Sequence, residues 1–244
     1  MKAYSFDGTF DGLLCCLYRA FTEKEEPFAV YSGDFQPSFD TQTVAVTTDE
    51  THAKRVAVGI IKNCSENLLR TACYAMRSGE GLKETVIFNA LRKCLAAKRD
   101  LSADYADYDM LAFYDLKEKI GKEIHRLKGF VRFEETAGGE LYSHISPDND
   151  ICDLLAPHFK NRFPNKKFAL HDVRRNILVL SDGKNIRRLE LSSPLTVYLS
   201  DEEKHFKSLW KTYFDSVNIA ERKNTRQQDN YLPRRYRINM SEFQ

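Results

Sequence analysis

Cysteine spacings that could hold a metal or a cluster are missing from this sequence. Its six cysteines, none of which belongs to a Cys-x-x-Cys pair, are Cys15, Cys16, Cys64, Cys73, Cys94 and Cys152. A radical S-adenosylmethionine enzyme needs three closely spaced cysteines for its iron–sulfur cluster, so the spacing excludes this class. Most of these cysteines lie among apolar residues of predicted helices, where a free thiol packs as a small hydrophobe. We therefore expect a protein of a reducing compartment without a disulfide framework.

Long apolar runs and nucleotide-binding loops are also missing. No apolar run approaches the ~20 residues that a membrane span needs. The start, Met1–Asp7, has no signal-peptide core, so we expect a cytoplasmic protein. The sequence contains no phosphate loop, no dinucleotide-binding glycine turn, no Gly-x-Ser-x-Gly elbow and no zinc deaminase pattern. We therefore expect no metal and no cofactor, and the motifs indicate no reaction.

The hydrophobic pattern predicts an α+β fold with a helix-rich centre. The 244 residues, 42% of them hydrophobic and 30% charged, have an ordinary globular composition. Strands are predicted at Ala3–Phe6, Phe28–Tyr31 and Thr43–Thr47, the last two on either side of a turn-rich stretch. Helical spacing then predicts a helix over Phe10–Phe21. Three further helices follow, the first with a cap at Asp49 or Thr51 and the second with a cap at Ser65. A long helix is then predicted over Asp109–Leu127, with its stop at Gly129. We expect a single domain over residues 1–244, with an internal boundary near residue 128.

Beyond that boundary the pattern changes to strands. Gly138-Gly139 predicts an antiparallel hairpin between Phe130–Thr136 and Glu140–Ile145. A helix to Phe163 follows, with Asp148 or Asp150 as its cap. An antiparallel β meander is predicted over three strands, Phe168–Val173, Asn176–Leu180 and Ile186–Leu191. A Ser200–Glu203 capping box then begins a long C-terminal helix, whose apolar face around Trp210 should anchor it to the core, and an ordered basic tail follows.

Positive charge is concentrated in the second half of the chain. Residues 160–237 contain 18 Lys and Arg against 9 Asp and Glu, whereas residues 1–128 contain 18 against 19. Between Glu221 and Arg237 there are six basic residues against two acids. Such an excess favours a polyanionic partner, and a solvated basic face is the alternative.

The basic C-terminal segment has the side chains that nucleic-acid surfaces use. Arginine binds phosphate in a bidentate manner, amides bind base edges, and rings such as Tyr231 stack on bases. Arginines of the meander extend this patch if the sheet lies alongside. The predicted nucleic-acid contacts are Arg174, Arg175, Arg222, Asn224, Arg226, Gln227, Arg234, Arg235 and Tyr236. The alternative is an ordered tail packed on the domain, with its arginines paired to acids.

Two further clusters are weak catalytic candidates. His171 and Asp172 are adjacent, and a His beside an Asp at the mouth of a sheet can shuttle protons. A strand end with satisfied polar groups is the alternative for this pair. Carboxylates crowd the hairpin and its exit, at Glu134, Glu135, Glu140, Asp148 and Asp150. A metal-dependent nuclease would need converging carboxylates, but helix capping explains Asp148 and Asp150 without a metal.

Several segments together resemble one bacterial family of probable DNA-metabolism proteins, over nearly the whole chain. The segments are Tyr4–Phe10, Gly129–Phe133, Ile145–Asp150, His171-Asp172 with Arg174-Arg175, Leu209–Lys211, Ile219–Asn224 and Pro233–Tyr236. Members of this family are encoded beside a DNA-modification or repair radical S-adenosylmethionine protein, and a similar domain occurs fused to a uracil-DNA glycosylase. Arg237 departs from the pattern, because an aromatic residue is expected after Tyr236.

The resemblance implies a role in DNA repair or DNA metabolism with the radical S-adenosylmethionine protein as partner, and the basic segment and the missing catalytic motifs favour an accessory protein that binds DNA non-specifically. It assigns no catalytic residues. The alternatives are a nucleic-acid-processing enzyme with a site around His171 and Asp172, and a protein-interaction partner that does not contact DNA.

Overall fold

The chain forms two compact units, Met1–Gly121 and Lys122–Gln244. The structure is a computed structural model that describes residues 1–33, 40–219, 222 and 224–243. It has the predicted α+β composition. The prediction of a single domain over residues 1–244 stays a prediction, and the two units are described separately.

The first unit contains a parallel sheet and a layer of helices. Its strands are β1 (Lys2–Phe6), β2 (Ala29–Ser32) and β3 (Gln42–Ala45), in the order β2-β1-β3. Both pairings are parallel. Its helices are α1 (Phe10–Glu23), α2 (Glu50–Asn63), α3 (Glu66–Ala75), α4 (Lys83–Ala97) and the first half of α5 (Tyr108–Phe130). The three predicted strands are confirmed, and part of the turn-rich stretch between β2 and β3 lies outside the described residues.

Local capping explains where these helices begin. The Asp49 carboxylate accepts the His52 amide at 2.8 Å, and the Ser65 hydroxyl accepts the Leu68 amide at 2.9 Å. Both bonds satisfy backbone donors that have no partner inside the helix. The apolar spacing of α1 buries one of its faces, including Leu13 and Leu17. The predicted stop at Gly129 is wrong, because α5 continues through this residue to Phe130.

The second unit contains a mixed five-stranded sheet. Its strands are β4 (Glu134–Glu135), β5 (Leu141–Ile145), β6 (Phe168–Asp172), β7 (Ile177–Ser181) and β8 (Ile186–Glu190), adjacent in that order. The predicted hairpin is β4–β5 and the predicted meander is β6–β7–β8, and both are antiparallel. The predicted helix that ends near Phe163 is α6 (Cys152–Arg162), and it connects β5 to β6. The parallel pairing of these two strands was not predicted from the sequence patterns.

Helix α6 packs against β6, β7 and β8. Because side chains alternate along a strand, Leu170 and Asp172 lie on one face of β6 and His171 lies on the other. Both polar residues are nevertheless buried. This alternation separates the two residues of the predicted catalytic pair.

The C-terminal elements of this unit are helical. They are α7 (Asp201–Ser216), α8 (Thr225–Tyr231), α9 (Arg234–Arg237) and a 3-10 turn (Ser241–Phe243). Ser200 caps α7 as predicted, accepting the Glu203 amide at 3.1 Å. The reciprocal bond of a capping box does not form, because the Glu203 carboxylate accepts the Glu135 amide at 3.0 Å. The N-terminal end of α7 is therefore hydrogen-bonded to strand β4.

The apolar face of α7 lies at the surface. No residue of this helix is buried. Phe206 is 64% exposed and Trp210 is 44% exposed, and both line a surface groove beside Phe133 and Phe163. The prediction that this face anchors α7 in the core is therefore wrong. None of the helices in the described ranges is both long and apolar enough to cross a membrane.

We predict that Gly12→Ala destabilises the first unit by about 1–3 kcal/mol. A Cβ at Gly12 would lie 2.7 Å from Cδ2 of Phe6 and 2.8 Å from Oγ1 of Thr48, and it would also meet the Asp7 carboxylate. That carboxylate is held by Thr48 at 2.7 Å, so it does not move freely. Urea denaturation would measure the loss. Gly59→Ala in α2 is the matched control, because its Cβ would meet nothing within 4 Å. The control should gain roughly 0.5–1 kcal/mol, and equal effects of the two substitutions would contradict the packing argument.

Candidate nucleic-acid interface

The loop that precedes α6 is held in place by a buried carboxylate. Glu123 of α5 is only 4% exposed. Its oxygens accept the Asp148 amide at 2.8 Å and the Asn149 amide at 2.9 Å. The Asn149 side-chain amide donates a third bond at 2.6 Å. A buried carboxylate is stable when several donors surround it, and here the donors also fix the backbone of the loop.

Tyr236 of α9 supplies a fourth donor to the same carboxylate. Its hydroxyl lies 2.7 Å from Oε1 of Glu123, and its ring is 2% exposed. Burial raises the pKa of the Tyr236 phenol, which therefore stays a donor. The Arg235 guanidinium lies over the ring at 4.8 Å and donates to the hydroxyl at 3.1 Å. Because the ring is covered, no base can stack on Tyr236 in this structure.

Three predicted phosphate-binding arginines meet on this loop. Arg174 and Arg235 contact the two oxygens of the Asp148 carboxylate, at 3.3 Å and 2.8 Å. Arg175 donates to the Pro147 carbonyl at 3.0 Å and also to the Asp148 carbonyl. The sequence prediction that Arg174 and Arg175 extend toward the C-terminal arginines is thus matched by their positions. Their charges, however, are engaged by acceptors of the protein.

Asp150 has an arginine partner as well. Arg188 of β8 forms a bidentate pair with its carboxylate at 2.8 Å and 2.7 Å. These bonds raise the pKa of the Arg188 guanidinium. The residue at the cap position of α6 is Ile151, and no side chain caps this helix. The prediction that Asp148 or Asp150 caps α6 is therefore wrong, because arginines bind both carboxylates. No group of three or more His, Cys, Asp or Glu side chains in the described ranges is placed to hold a metal ion.

The predicted catalytic pair does not form a hydrogen-bonded dyad. His171 Nδ1 lies 2.8 Å from the Tyr142 hydroxyl, and its Nε2 is buried without a partner in the described part of the chain. Burial lowers the pKa of His171, so the ring is neutral near pH 7. Asp172 points to the other sheet face and accepts the amides of Arg174 and Arg175 at 3.0 Å and 3.2 Å. Its second oxygen accepts from the Arg175 side chain at 2.9 Å. Asp172 therefore matches the alternative of a strand end with satisfied polar groups, whereas Nε2 of His171 has no partner among the described residues.

The arginines of the tail are mostly paired within the tail. Arg234 and Arg237 contact opposite oxygens of Asp229, at 2.9 Å and 2.6 Å. The hydrogen bond from Arg234 holds the pKa of Asp229 below its ordinary value. Arg237 also donates to the Leu232 carbonyl at 2.9 Å. The ion pairs that the alternative expected are present for Arg234, Arg235 and Arg237, and the prediction that Arg234 and Arg235 contact nucleic acid stays a prediction.

Arg222 and Arg226 differ from these paired arginines. Both are exposed, and neither forms an ion pair with any residue that the structure describes. Arg222 lies at a groove in the second unit with a volume of about 930 Å³. The groove brings together three predicted contacts, Arg222, Asn224 and Gln227. Glu221 and Lys223, which belong to the predicted basic segment, lie outside the described residues.

Sequence reasoning missed part of this groove. Its other lining residues include Phe214 and Val217 near the end of α7, and Phe243 at the end of the chain. The apolar spacing of α7 indicated a continuous apolar face but not what would lie against it. Nothing in the local sequence around Phe243 indicated that its ring would lie 5.8 Å from that of Phe214.

One comparison with known proteins gives a match. The model of a family described as a domain of unknown function, DUF4130, matches residues 82–242. This range contains every predicted nucleic-acid contact and the candidate pair His171 and Asp172. No curated protein and no solved structure matches the chain.

We predict that Tyr236→Phe lowers the free energy of unfolding by about 2 kcal/mol, because it removes one donor from a buried charged carboxylate. Guanidinium denaturation of the full chain would measure the change. Tyr231→Phe is the matched control, because Tyr231 is 72% exposed. An unchanged stability of the Tyr236 variant would show that the Glu123 cluster does not stabilise this unit.

Proposed function

From the premise that the chain belongs to the DUF4130 family, we propose that it is an accessory protein of DNA metabolism that binds DNA with little sequence preference. The proposed surface lies at the C-terminal end of the second unit. It consists of the Arg222, Arg226 and Gln227 side chains and the α8 turn that Asn224 caps. The resemblance to probable DNA-metabolism proteins supports this role. It also supports a radical S-adenosylmethionine DNA-modification or repair protein as the functional partner.

The observation that carries the proposal is the division of the arginines into two classes. Arg175 and Arg188 are engaged by acceptors of the loop, and Arg234 and Arg237 share Asp229. Arg222 and Arg226 have no such acceptor within the described part of the chain. A phosphate that contacts Arg222 or Arg226 therefore displaces no acceptor in the described part of the chain. Release of counterions is then the physical basis of non-specific, salt-dependent DNA binding.

Arg174 and Arg235 form a secondary part of the proposed surface. They share one carboxylate, that of Asp148, and their side chains are 59% and 49% exposed. Two guanidinium groups on one carboxylate leave a net charge of +1 at this position. Arg175 is less exposed and Tyr236 is buried, so we assign both to holding the fold rather than to contacting DNA.

Protein interaction is the second candidate function, and the exposed face of α7 favours it. Phe206, Leu209 and Tyr213 are 64%, 50% and 56% exposed. Apolar side chains grouped in this way at a surface are typical of protein contacts. In this second candidate function, Arg222 and Arg226 contact no ligand. It predicts no salt-dependent binding to DNA, and a DNA titration therefore separates the two candidates.

We predict that the full chain binds short mixed-sequence DNA with a Kd of about 10⁻⁴–10⁻⁶ M, weakening steeply between about 50 and 200 mM salt. The double variant Arg222→Ala/Arg226→Ala should reduce the salt slope by about one unit for each phosphate contact removed. Its melting temperature should stay unchanged, because neither side chain forms an ion pair with a residue that the structure describes. Fluorescence anisotropy and thermal melting of the same samples would check both statements.

The control is Arg70→Ala/Arg99→Ala, which removes the same charge from exposed positions of the first unit. This control should leave the salt slope unchanged. The proposal is wrong if the intact chain binds no DNA at low salt, or if both double variants reduce binding equally. Binding by the intact chain that is insensitive to salt would also contradict it.

A further inference from the structure

One face of α8 forms a wall of the groove that contains Arg222. Asn224, Gln227, Gln228 and Tyr231 all line this groove. They follow one another at intervals of three, one and three residues, which places them on a single face of a helix. The Asn224 side chain accepts the Gln227 amide at 3.0 Å, so it fixes the start of that face.

Another part of the groove lining consists of aromatic rings, which neighbouring side chains hold in place. Phe214 and Phe243 meet edge to face, with ring centroids 5.8 Å apart. The Arg237 guanidinium lies 5.3 Å from the centre of the Phe243 ring. Arg237 is itself fixed by Asp229 at 2.6 Å and by the Leu232 carbonyl at 2.9 Å. These contacts hold the two rings in position. They engage the Arg237 guanidinium and cover one face of the Phe243 ring.

The α8 wall, in contrast, presents groups that the protein does not use. The Tyr231 ring is 72% exposed. Within the described residues, the side-chain amides of Gln227 and Gln228 have no hydrogen-bond partner. Arg222, at the same groove, has no ion pair there either. The groove is thus lined by one exposed ring, two side-chain amides and one guanidinium, and the amides and the guanidinium have no partner among the described residues.

We propose that this groove binds an unpaired base of single-stranded DNA. The base stacks on Tyr231, its edge meets the amides of Gln227 and Gln228, and a flanking phosphate contacts Arg222. The inference rests on the proposed DNA-binding function and specifies the strand state. In a duplex both faces of each base are covered by neighbouring bases, so only an unpaired base can stack on an exposed ring without first being extracted. Amides are compatible with several bases, so the preference for sequence is small.

The test compares a labelled single strand of mixed sequence with its duplex, using the full chain at low salt. The intact protein should bind the single strand more tightly. Tyr231→Ala should weaken single-strand binding by roughly 5- to 100-fold, the range expected for the loss of one base-stacking contact. It should leave the salt slope and the duplex affinity unchanged, because it removes no charge. Tyr231→Phe, which keeps the ring, should restore single-strand binding.

Tyr198→Ala is the matched control, since Tyr198 is 76% exposed and is not part of the groove. It should bind the single strand as the intact chain does, and circular dichroism should show the same fold for all variants. Equal affinity of the intact chain for both strand states, or unchanged single-strand binding of Tyr231→Ala, would overturn the groove proposal and leave general DNA binding in place. Binding to neither form would overturn both proposals.

Discussion

The buried carboxylate of Glu123 is the constraint on which the second unit depends. A carboxylate that is 4% exposed must be surrounded by donors, and four hydrogen bonds reach it from the 148–149 loop and from Tyr236. The cluster therefore joins three segments that are far apart in the chain: α5, the loop before α6, and α9. Because Tyr236 is held there, the neighbouring Arg235 lies against Asp148.

This constraint helps to explain why several arginines of the basic second half are engaged by acceptors of the protein. The loop exposes acceptors, namely the carboxylates of Asp148 and Asp150 and the Pro147 carbonyl, and arginines from β8, α9 and the end of β6 bind them. Asp229 binds two more arginines in the tail. The local charge excess is therefore a poor guide to which residues contact a ligand. The informative property is the absence of an acceptor within the described part of the chain, and among the arginines predicted to contact nucleic acid it selects Arg222 and Arg226.

The elements with strong local signals were predictable from the sequence. Asp49, Ser65 and Ser200 cap the helices that follow them, because a short polar side chain before an apolar periodic run satisfies backbone amides locally. The meander was predictable because strand-like runs follow one another, with Asp182-Gly183 at the turn between β7 and β8. The chain belongs to the DUF4130 family, whose model matches residues 82–242, while a role in DNA metabolism remains our proposal.

Features that depend on distant contacts were not predictable in the same way. The spacing of Asp148 and Asp150 before α6 resembles a cap, and only the positions of Arg188 and Arg235 show that these acids pair across the fold. The parallel pairing of β5 and β6 depends on the crossover through α6, which no turn motif reveals. Part of the groove was predictable, since Arg222, Asn224 and Gln227 share one segment. Its aromatic wall was not, because Phe214 and Phe243 are distant in sequence.

The central claim is that DNA contacts chiefly the side chains of the α8 groove, and that Arg174 and Arg235, which bind the loop before α6, form only a secondary part of the surface. Amide NMR spectra of the full chain, titrated with a short single strand of DNA, test it most directly. The account predicts that the largest shifts occur in the side-chain amides of Gln227 and Gln228 and in the α8 backbone, with smaller shifts around Arg174. Shifts centred on His171, Arg174 and Arg188, with α8 unaffected, would contradict it.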